Sequence, residues 1–183
     1  MPGSRESTST LRSTIGCIIP AHDDEAGIAG VLSSLLEQTR VPDVIHVIVD
    51  NTSDGTVRMA SAFAGPHRIV TDLGEQFTEV FVHDIGENPD EKVGALNYGY
   101  ALVEGYDYLL CVDGDAIGDP RAVEHLEYDA ISDAEFTAVD PQSLLREHAP
   151  AAPGGQLSIF STTALRAVME ADHQRRPWHR GAE

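Results

Sequence analysis

Two aspartates separated by one glycine are the residues of this sequence best suited to chemistry. Asp113 and Asp115 flank Gly114, directly after the apolar run of residues 108–112 (YLLCV). Such a run predicts a buried strand, and open α/β sheets bind ligands at the carboxyl ends of their strands. Two carboxylates this close repel each other unless a cation lies between them. Oxygen ligands suit Mg²⁺ or Mn²⁺, which can bridge to the phosphates of a nucleotide.

Two further acidic turns follow apolar runs earlier in the chain. Residues 20–25 (PAHDDE) follow the first run, and residues 50–56 (DNTSDGT) follow the second. Because the strands of a parallel sheet end at one edge, we expect all three turns to lie side by side. An aspartate in such a turn could instead cap the helix that follows, since a carboxylate accepts hydrogen bonds from free amides there. Asp23 or Asp24 is the candidate cap of the first helix.

The elements that would position these turns alternate between strand and helix. The pattern predicts an α/β fold with a mainly parallel sheet and helices on both faces. The predicted strands cover residues 15–19, 44–49, 79–84, 107–112, 136–140 and 156–161. The first predicted helix carries Ile28, Val31, Leu32, Leu35 and Leu36 on one face. The other predicted helices cover residues 56–63, 90–104, 121–128 and 162–170, and residues 141–155 are expected to be loop. The length predicts one domain over residues 14–172, between a disordered leader, 1–13, and an irregular polar tail, 173–183.

The composition of the chain argues against several classes of binding partner and cellular location. The formal net charge is −18, which repels nucleic acid and anionic lipid and disfavours a nucleic-acid-binding protein. No apolar run approaches the ~18 residues that a membrane helix needs, and the leader lacks the apolar segment of a signal peptide. Cys17 and Cys111 both fall inside predicted strands, as core residues do. A disulfide framework is therefore not expected, and the predicted location is the cytoplasm.

Five segments together resemble family 2 glycosyltransferases. They occur in the family's order between residues 15 and 168: 18–25 (IIPAHDDE), 49–56 (VDNTSDGT), 92–99 (KVGALNYG), 113–115 (DGD) and 156–165 (QLSIFSTTAL). Members of that family have the GT-A fold, a nucleotide-binding α/β sandwich. They transfer a sugar from a nucleoside diphosphate to an acceptor, with inversion at the anomeric carbon. The resemblance implies a metal-dependent inverting glycosyltransferase that uses a nucleoside-diphosphate sugar, with a UDP-sugar favoured and the acceptor unknown.

The resemblance also implies roles for single residues. Asp115 would bind Mn²⁺ or Mg²⁺, with Asp113 beside it near the ribose. Asp50 would accept a hydrogen bond from the base, as a carboxylate can. Lys92 would offset the charge of the diphosphate, or would be a solvated lysine that opens a helix. The implied nucleotide-sugar site consists of Pro20, Ala21, His22, Glu25, Asp50, Asn51, Lys92, Asp113 and Gly114.

The chain departs from the family pattern in ways that leave two alternatives open. His22 and Asp23 stand where the family usually has Tyr and Asn, and residues 160–162 lack the usual arginine. No Glu-Asp pair follows Asp115 to supply the general base that an inverting transfer needs. Glu183 is the candidate base, on the expectation that the sequence is cut there. The chain could therefore be a GT-A domain that binds a donor but is catalytically incomplete.

The other alternative is a sugar nucleotidyltransferase, which has a similar fold. Such an enzyme would need a glycine-rich, basic loop after the first strand. Residues 20–25 are acidic instead.

Overall fold

Six strands and five helices form the part of the chain that the computed structural model describes, residues 12–132, 157–171 and 176–178. The strands are β1 (Ile15–Ala21), β2 (Val44–Val49), β3 (Gly65–Thr71), β4 (Gly74–Asp84), β5 (Tyr108–Val112) and β6 (Leu157–Ser161). The helices are α1 (Ile28–Leu36), α2 (Thr56–Ser61), α3 (Glu91–Val103), α4 (Ala122–Ser132) and α5 (Thr162–Ala171). The strand predicted at 136–140, the loop predicted at 141–155 and Glu183 lie outside the described residues.

All six strands belong to one mixed sheet with the order β3-β4-β2-β1-β5-β6. The four inner strands are parallel to one another, and β3 and β6 pair antiparallel at the two edges. The register pairs Ala21 at the end of β1 with Val49 at the end of β2. The turns that follow these strands therefore begin side by side, and the prediction of a mainly parallel sheet is confirmed.

Helices cover both faces of the sheet, as predicted, because successive side chains of a strand point to opposite faces. On β1, Ile15, Cys17 and Ile19 belong to the core under α1, α2 and α4, whereas Ile18 belongs to the core under α3 and α5. Cys17 is buried and neither it nor Cys111 forms a disulfide. None of the helices in the described residues is long and apolar enough to cross a membrane.

Two glycines bring α3 into direct contact with β1. A Cβ atom on Gly99 would lie 2.7 Å from Ile18 Cγ2, and one on Gly16 would lie 2.6 Å from Val103 Cβ. At each glycine the backbone of one element therefore packs directly against a side chain of the other. These contacts hold α3 close to β1, and Lys92 in the first turn of α3 lines the cavity at the carboxyl edge of the sheet.

A buried arginine connects α4 to the loop before β2. Arg40 is 1% exposed, and its guanidinium donates to Glu127 on α4 and to Asp43, both at 3.0 Å. It also donates to the carbonyl oxygen of Ser13 at 2.7 Å. One side chain thus joins three segments that are distant in sequence.

Two details differ from the sequence predictions. The hairpin of β3 and β4 was not predicted beyond residues 79–84, because β3 contains Pro66 and its side chains alternate between partly and fully exposed. The predicted side-chain cap of α1 is wrong: Gly27 is the N-cap and makes no side-chain cap hydrogen bond. The carbonyl oxygen of Asp24, not its carboxylate, accepts from the amides of Gly27 and Ile28, each at 3.0 Å.

Candidate functional site

A cavity of about 880 Å³ opens at the carboxyl edge of the sheet, where the turns after β1, β2 and β5 meet the start of α3. Of the residues predicted for the nucleotide-sugar and metal sites within the described chain, all except Glu25 line it. These are Pro20, Ala21, His22, Asp50, Asn51, Lys92, Asp113, Gly114 and Asp115. The structure thus brings four of the five sequence motifs to one cavity. Three of these motifs follow parallel strands that end at this edge, as expected.

Glu25 lies outside the cavity lining and contacts the turn after β2. Its carboxylate accepts hydrogen bonds from the amide of Gly55 at 3.2 Å and from Arg58 Nη2 at 2.8 Å. Asp23 has a similar position, because its Oδ1 atom accepts from the amide of Ser53 at 2.8 Å. These two carboxylates fasten the first turn to the second.

Two residues in these turns have left-handed backbone conformations, which short polar side chains tolerate best. Asp23 and Asn51 both have φ of 49°. Non-glycine residues in this region cost energy and persist where surrounding contacts hold them. Here the contacts between the two turns hold Asp23, and the loop after β4 holds Asn51.

Asp50 is a buried carboxylate with a fixed orientation. It is 3% exposed, and its Oδ2 atom accepts from Asn88 Nδ2 at 2.7 Å and from Asn51 Nδ2 at 3.1 Å. The residue nevertheless lines the cavity. A carboxylate that is held through one oxygen can present its other lone pairs to a donor on a ligand.

His22 lines the cavity beside Asp50. Its Nδ1 atom is 3.1 Å from the carbonyl oxygen of Asp50. This hydrogen bond raises the pKa of His22, and the charges of Asp23, Asp50 and Asp24 act in the same direction. Protonation of the imidazole would add a positive charge to a cavity that is otherwise rich in carboxylates.

The turn after β5 places two carboxylates in different settings. Asp113 Oδ1 lies 2.5 Å from Lys92 Nζ, whereas the side chain of Asp115 is exposed. Asp24 lies against the glycine between them, because a Cβ atom on Gly114 would be 2.3 Å from Asp24 Oδ2. Burial raises the pKa of Asp24, and the negative charges of Asp115 and Asp54 raise it further.

These carboxylates do not form a complete metal cage. Among the residues that the structure describes, no group of three or more histidine, cysteine or carboxylate side chains could hold a metal ion by itself. Mg²⁺ and similar hard cations are commonly held by one or two carboxylates together with substrate phosphates and water. The donor set here fits a cation that arrives with a phosphate ligand.

Four further residues line the cavity that the sequence motifs had not assigned to it: Asp24, Asn88, Pro89 and Glu91. Three of them follow β4, in the loop and at the first residue of α3, and β4 is the third strand of the parallel group to end at this edge. Turns that follow parallel strands meet at the same edge of the sheet, and this applies to the turn after β4 as well. The polar residues after β4 could therefore have been predicted as part of the site.

Comparison with known proteins gives one family and one fold. The family model "Glycosyl transferase family 2" matches residues 17–151. No curated protein sequence is significantly similar to the chain.

Several solved structures share the fold. S. aureus TarS 1-349 in complex with UDP is 18% identical with a TM-score of 0.54, over 87% of this chain and 49% of that one. Mycobacterium tuberculosis glucosyl-3-phosphoglycerate synthase with Mn²⁺, UDP-glucose and phosphoglyceric acid is 16% identical with a TM-score of 0.52, over 82% and 57%. A 4-diphosphocytidyl-2C-methyl-D-erythritol synthase is 18% identical with a TM-score of 0.54, over 87% and 81%. The chain spans about half the length of the TarS structure.

Proposed function

Because this chain belongs to glycosyl transferase family 2 and has the fold of GT-A glycosyltransferases, we propose that its cavity binds a nucleoside-diphosphate sugar for transfer to an acceptor hydroxyl, with inversion at the anomeric carbon. One observation carries the proposal. A single cavity combines a buried, oriented carboxylate, Asp50, with the Lys92–Asp113 ion pair and the exposed Asp115. Asp50 suits recognition of a nucleobase, and the ion pair together with Asp115 suits a diphosphate with its cation.

Asp50 is proposed to recognise the base. An ionised carboxylate is only an acceptor, so Asp50 selects a base that presents an N–H group. Uracil has such a group, and both TarS and glucosyl-3-phosphoglycerate synthase have structures with uridine nucleotides. A UDP-sugar is therefore the proposed donor. Pro20, Ala21 and Asn51 would line the nucleoside part of the cavity, with His22 beside them.

Asp115 and Asp113 are the proposed ligands of a divalent cation, Mn²⁺ or Mg²⁺. Both offer hard oxygen atoms. Burial, and then the negative charges of Asp115 and Asp54, raise the pKa of Asp24, and a cation would offset those charges. A cation bound there would stabilise the negative charge that develops on the departing diphosphate. Lys92 would supply a second positive charge to the same phosphates.

The acceptor side of the reaction is proposed from the sequence. An inverting transfer needs one general base beside the acceptor hydroxyl, which takes its proton as the new bond forms. Glu183 is the proposed base. The residues that line the cavity position the donor, so donor binding does not depend on this assignment.

A sugar nucleotidyltransferase is the second candidate, since a 4-diphosphocytidyl-2C-methyl-D-erythritol synthase shares the fold over 81% of its own length. Such an enzyme must bind a triphosphate. The turn after β1 contains Asp23, Asp24 and Glu25 and no lysine or arginine. This charge disfavours a triphosphate next to β1 and favours the transferase.

Calorimetric titration tests the donor site directly. UDP with Mn²⁺ should bind to the protein, and Asp129→Asn, which changes an exposed carboxylate on α4 away from the cavity, should bind it equally well. Release of UDP from a panel of UDP-sugars then reports transfer or hydrolysis. Binding of CTP, with release of pyrophosphate when a sugar phosphate is added as the acceptor, and no binding of UDP would instead support the nucleotidyltransferase.

A further inference from the structure

Asn88 connects the loop after β4 to the buried carboxylate of the cavity. Its side-chain Nδ2 atom donates to Asp50 Oδ2 at 2.7 Å and to the carbonyl oxygen of Glu91 at 2.6 Å. Its backbone forms a two-way contact with Asn51: Asn88 N donates to Asn51 Oδ1 at 2.9 Å, and Asn51 Nδ2 donates to the Asn88 carbonyl at 2.8 Å. The amide of Asn88 is therefore fixed from several directions and points at Asp50.

Gly94 leaves the space that this amide occupies. A Cβ atom at position 94 would lie 2.1 Å from Asn88 Oδ1 and 2.7 Å from Asn88 Nδ2. Gly94 lies inside α3 and does not have a positive φ, so its backbone conformation does not require glycine. Glycine within a helix is also less favourable than alanine, because it loses more conformational freedom on folding. The contact with Asn88 supplies the reason for a glycine at this position.

We infer that Asn88 and Gly94 are positioning residues for Asp50, an inference that rests on the proposed nucleotide site. Asn88 and Asn51 both donate to the Oδ2 atom of Asp50. This arrangement fixes how the carboxylate of Asp50 faces the base. Gly94 acts one step further away, because a larger residue there would push the Asn88 amide off Asp50.

The first test asks whether Asn88 acts through Asp50. Asn88→Ala, Asp50→Ala and the double variant are titrated with UDP plus Mn²⁺ and with pyrophosphate plus Mn²⁺. Asn88→Ala should weaken UDP binding by roughly tenfold, the order of a hydrogen bond to a charged group, and should leave pyrophosphate binding unchanged. In the Asp50→Ala background, the same change should cause no further loss. An equal loss for both ligands, or a full additional loss in the double variant, would overturn the inference.

The second test uses Gly94 and a double variant. Gly94→Ala should reproduce the loss of UDP affinity, because the new methyl group displaces the side-chain amide of Asn88. In a variant that already carries Asn88→Ala, the Gly94→Ala substitution should cause no further loss, because no side-chain amide remains at position 88. Gly105→Ala is the matched control, since a Cβ atom at Gly105 has no neighbour within 4 Å. A Gly94→Ala variant that binds UDP normally would contradict the inference.

Thermal unfolding without ligand separates this inference from the proposed function. Gly94→Ala should lower Tm when Asn88 is present and raise it in the Asn88→Ala background, where the better helix propensity acts alone. The same sign in both backgrounds would refute the contact between Gly94 and Asn88. Failure of the unchanged protein to bind UDP would refute the proposed donor, whatever the result for Tm.

Discussion

The ammonium group of Lys92 lies 2.5 Å from the Oδ1 atom of Asp113. Lys92 is therefore paired with one of the two carboxylates that are proposed to bind the metal. The lysine side chain is 60% exposed and the aspartate 30%. Ion pairs this accessible to water contribute little stability. In the proposed donor complex this pair would therefore be exchanged, with the metal at the carboxylate and the lysine at the phosphate.

This exchange predicts opposite effects when Lys92 is removed. Lys92→Met should increase the affinity for Mn²⁺ alone, because Asp113 is released, and should decrease the affinity for UDP in the presence of Mn²⁺, because the diphosphate loses a cation. Calorimetry measures both. Arg68→Met removes an exposed cation that pairs with Glu75 outside the cavity and should change neither affinity. A decrease of both affinities by Lys92→Met would show that the lysine only supports the local fold.

Removal of one negative charge at Asp115 tests the metal assignment. Asp115→Asn should abolish Mn²⁺-dependent binding of UDP, because the proposed cation loses a charged ligand. The fold should remain intact, since the side chain is exposed and exposed substitutions usually change stability by less than about 0.5 kcal/mol. Titration of UDP with and without Mn²⁺, together with circular dichroism, measures the two outcomes. Unchanged affinity in the variant would remove Asp115 from the site.

Asp50 should matter for the nucleoside and not for the phosphates. Asp50→Ala should weaken the binding of UDP by roughly 1.5–3 kcal/mol, the value of a hydrogen bond to a charged group. Binding of Mn²⁺-pyrophosphate, which has no base, should hardly change. If both ligands lose the same affinity, Asp50 supports the cavity walls and does not contact the base.

A pair of histidines on β2 and β4 should make stability depend on pH. His46 is 8% exposed, and its Nδ1 atom lies 2.9 Å from His83 Nε2. Burial and the nearby His83 lower the pKa of His46 to about 4, and burial also lowers the pKa of His83. Between pH 6.5 and 4 the unfolded chain therefore binds more protons than the folded protein. The stabilisation is complete above pH 6.5 and is lost as the pH falls toward 4.

The size of this effect can be measured against a variant that does not titrate. The shift predicts a free energy of unfolding lower by roughly 2 kcal/mol at about pH 5 than at about pH 7 from His46 alone. His46→Phe keeps an aromatic ring against Phe81, on which the imidazole now stacks. Tyr98 also lies beside the pair, and its ring centroid is 5.7 Å from that of His83. Urea unfolding across this pH range should show a smaller pH dependence in the variant; identical slopes would contradict the prediction.

Arg40 should contribute more to the free energy of unfolding than an exposed ion pair does. Arg40→Met would remove the guanidinium group that pairs with both Glu127 and Asp43. Breaking a buried pair in this way costs about 3 kcal/mol or more. Arg58→Met, which breaks an exposed pair with Glu25, should cost less than about 1 kcal/mol. Urea unfolding of both variants compares the two, and equal losses would show that burial of Arg40 adds nothing.

The central strands and the acidic turns could be predicted from sequence because their signals are local. β2 has the predicted bounds, since residues 44–49 are apolar apart from His46, and all six are buried. The hairpin of β3 and β4 was missed because an edge strand needs no continuous apolar run. β4 alternates buried and exposed residues from Gln76 to Phe81. Gln76 and Thr78 are polar but buried, and Phe77 and Phe81 are apolar but exposed, so residue type does not reveal this period of two.

Part of the cavity lining could also be predicted from local sequence signals. Turns after β1, β2 and β5 carry carboxylates, and parallel strands bring such turns to one edge. The role of Asn88 depends on its short distance to Asp50, a residue 38 positions away in the chain, which no local pattern contains. The steric role of Gly94 likewise requires the position of the Asn88 side chain. Such contacts between loops become visible only in three dimensions.

The hydrogen bonds from the turn after β2 to Asp23 and Glu25 have a consequence for protein engineering. Each of these hydrogen bonds joins two segments. The accepting carboxylates lie in residues 20–25, and the donating amides belong to Ser53 and Gly55. A chimera that imports the first turn from another member of the family would lose complementarity with the resident second turn. The proposed donor specificity should therefore be transferred by exchanging both turns together.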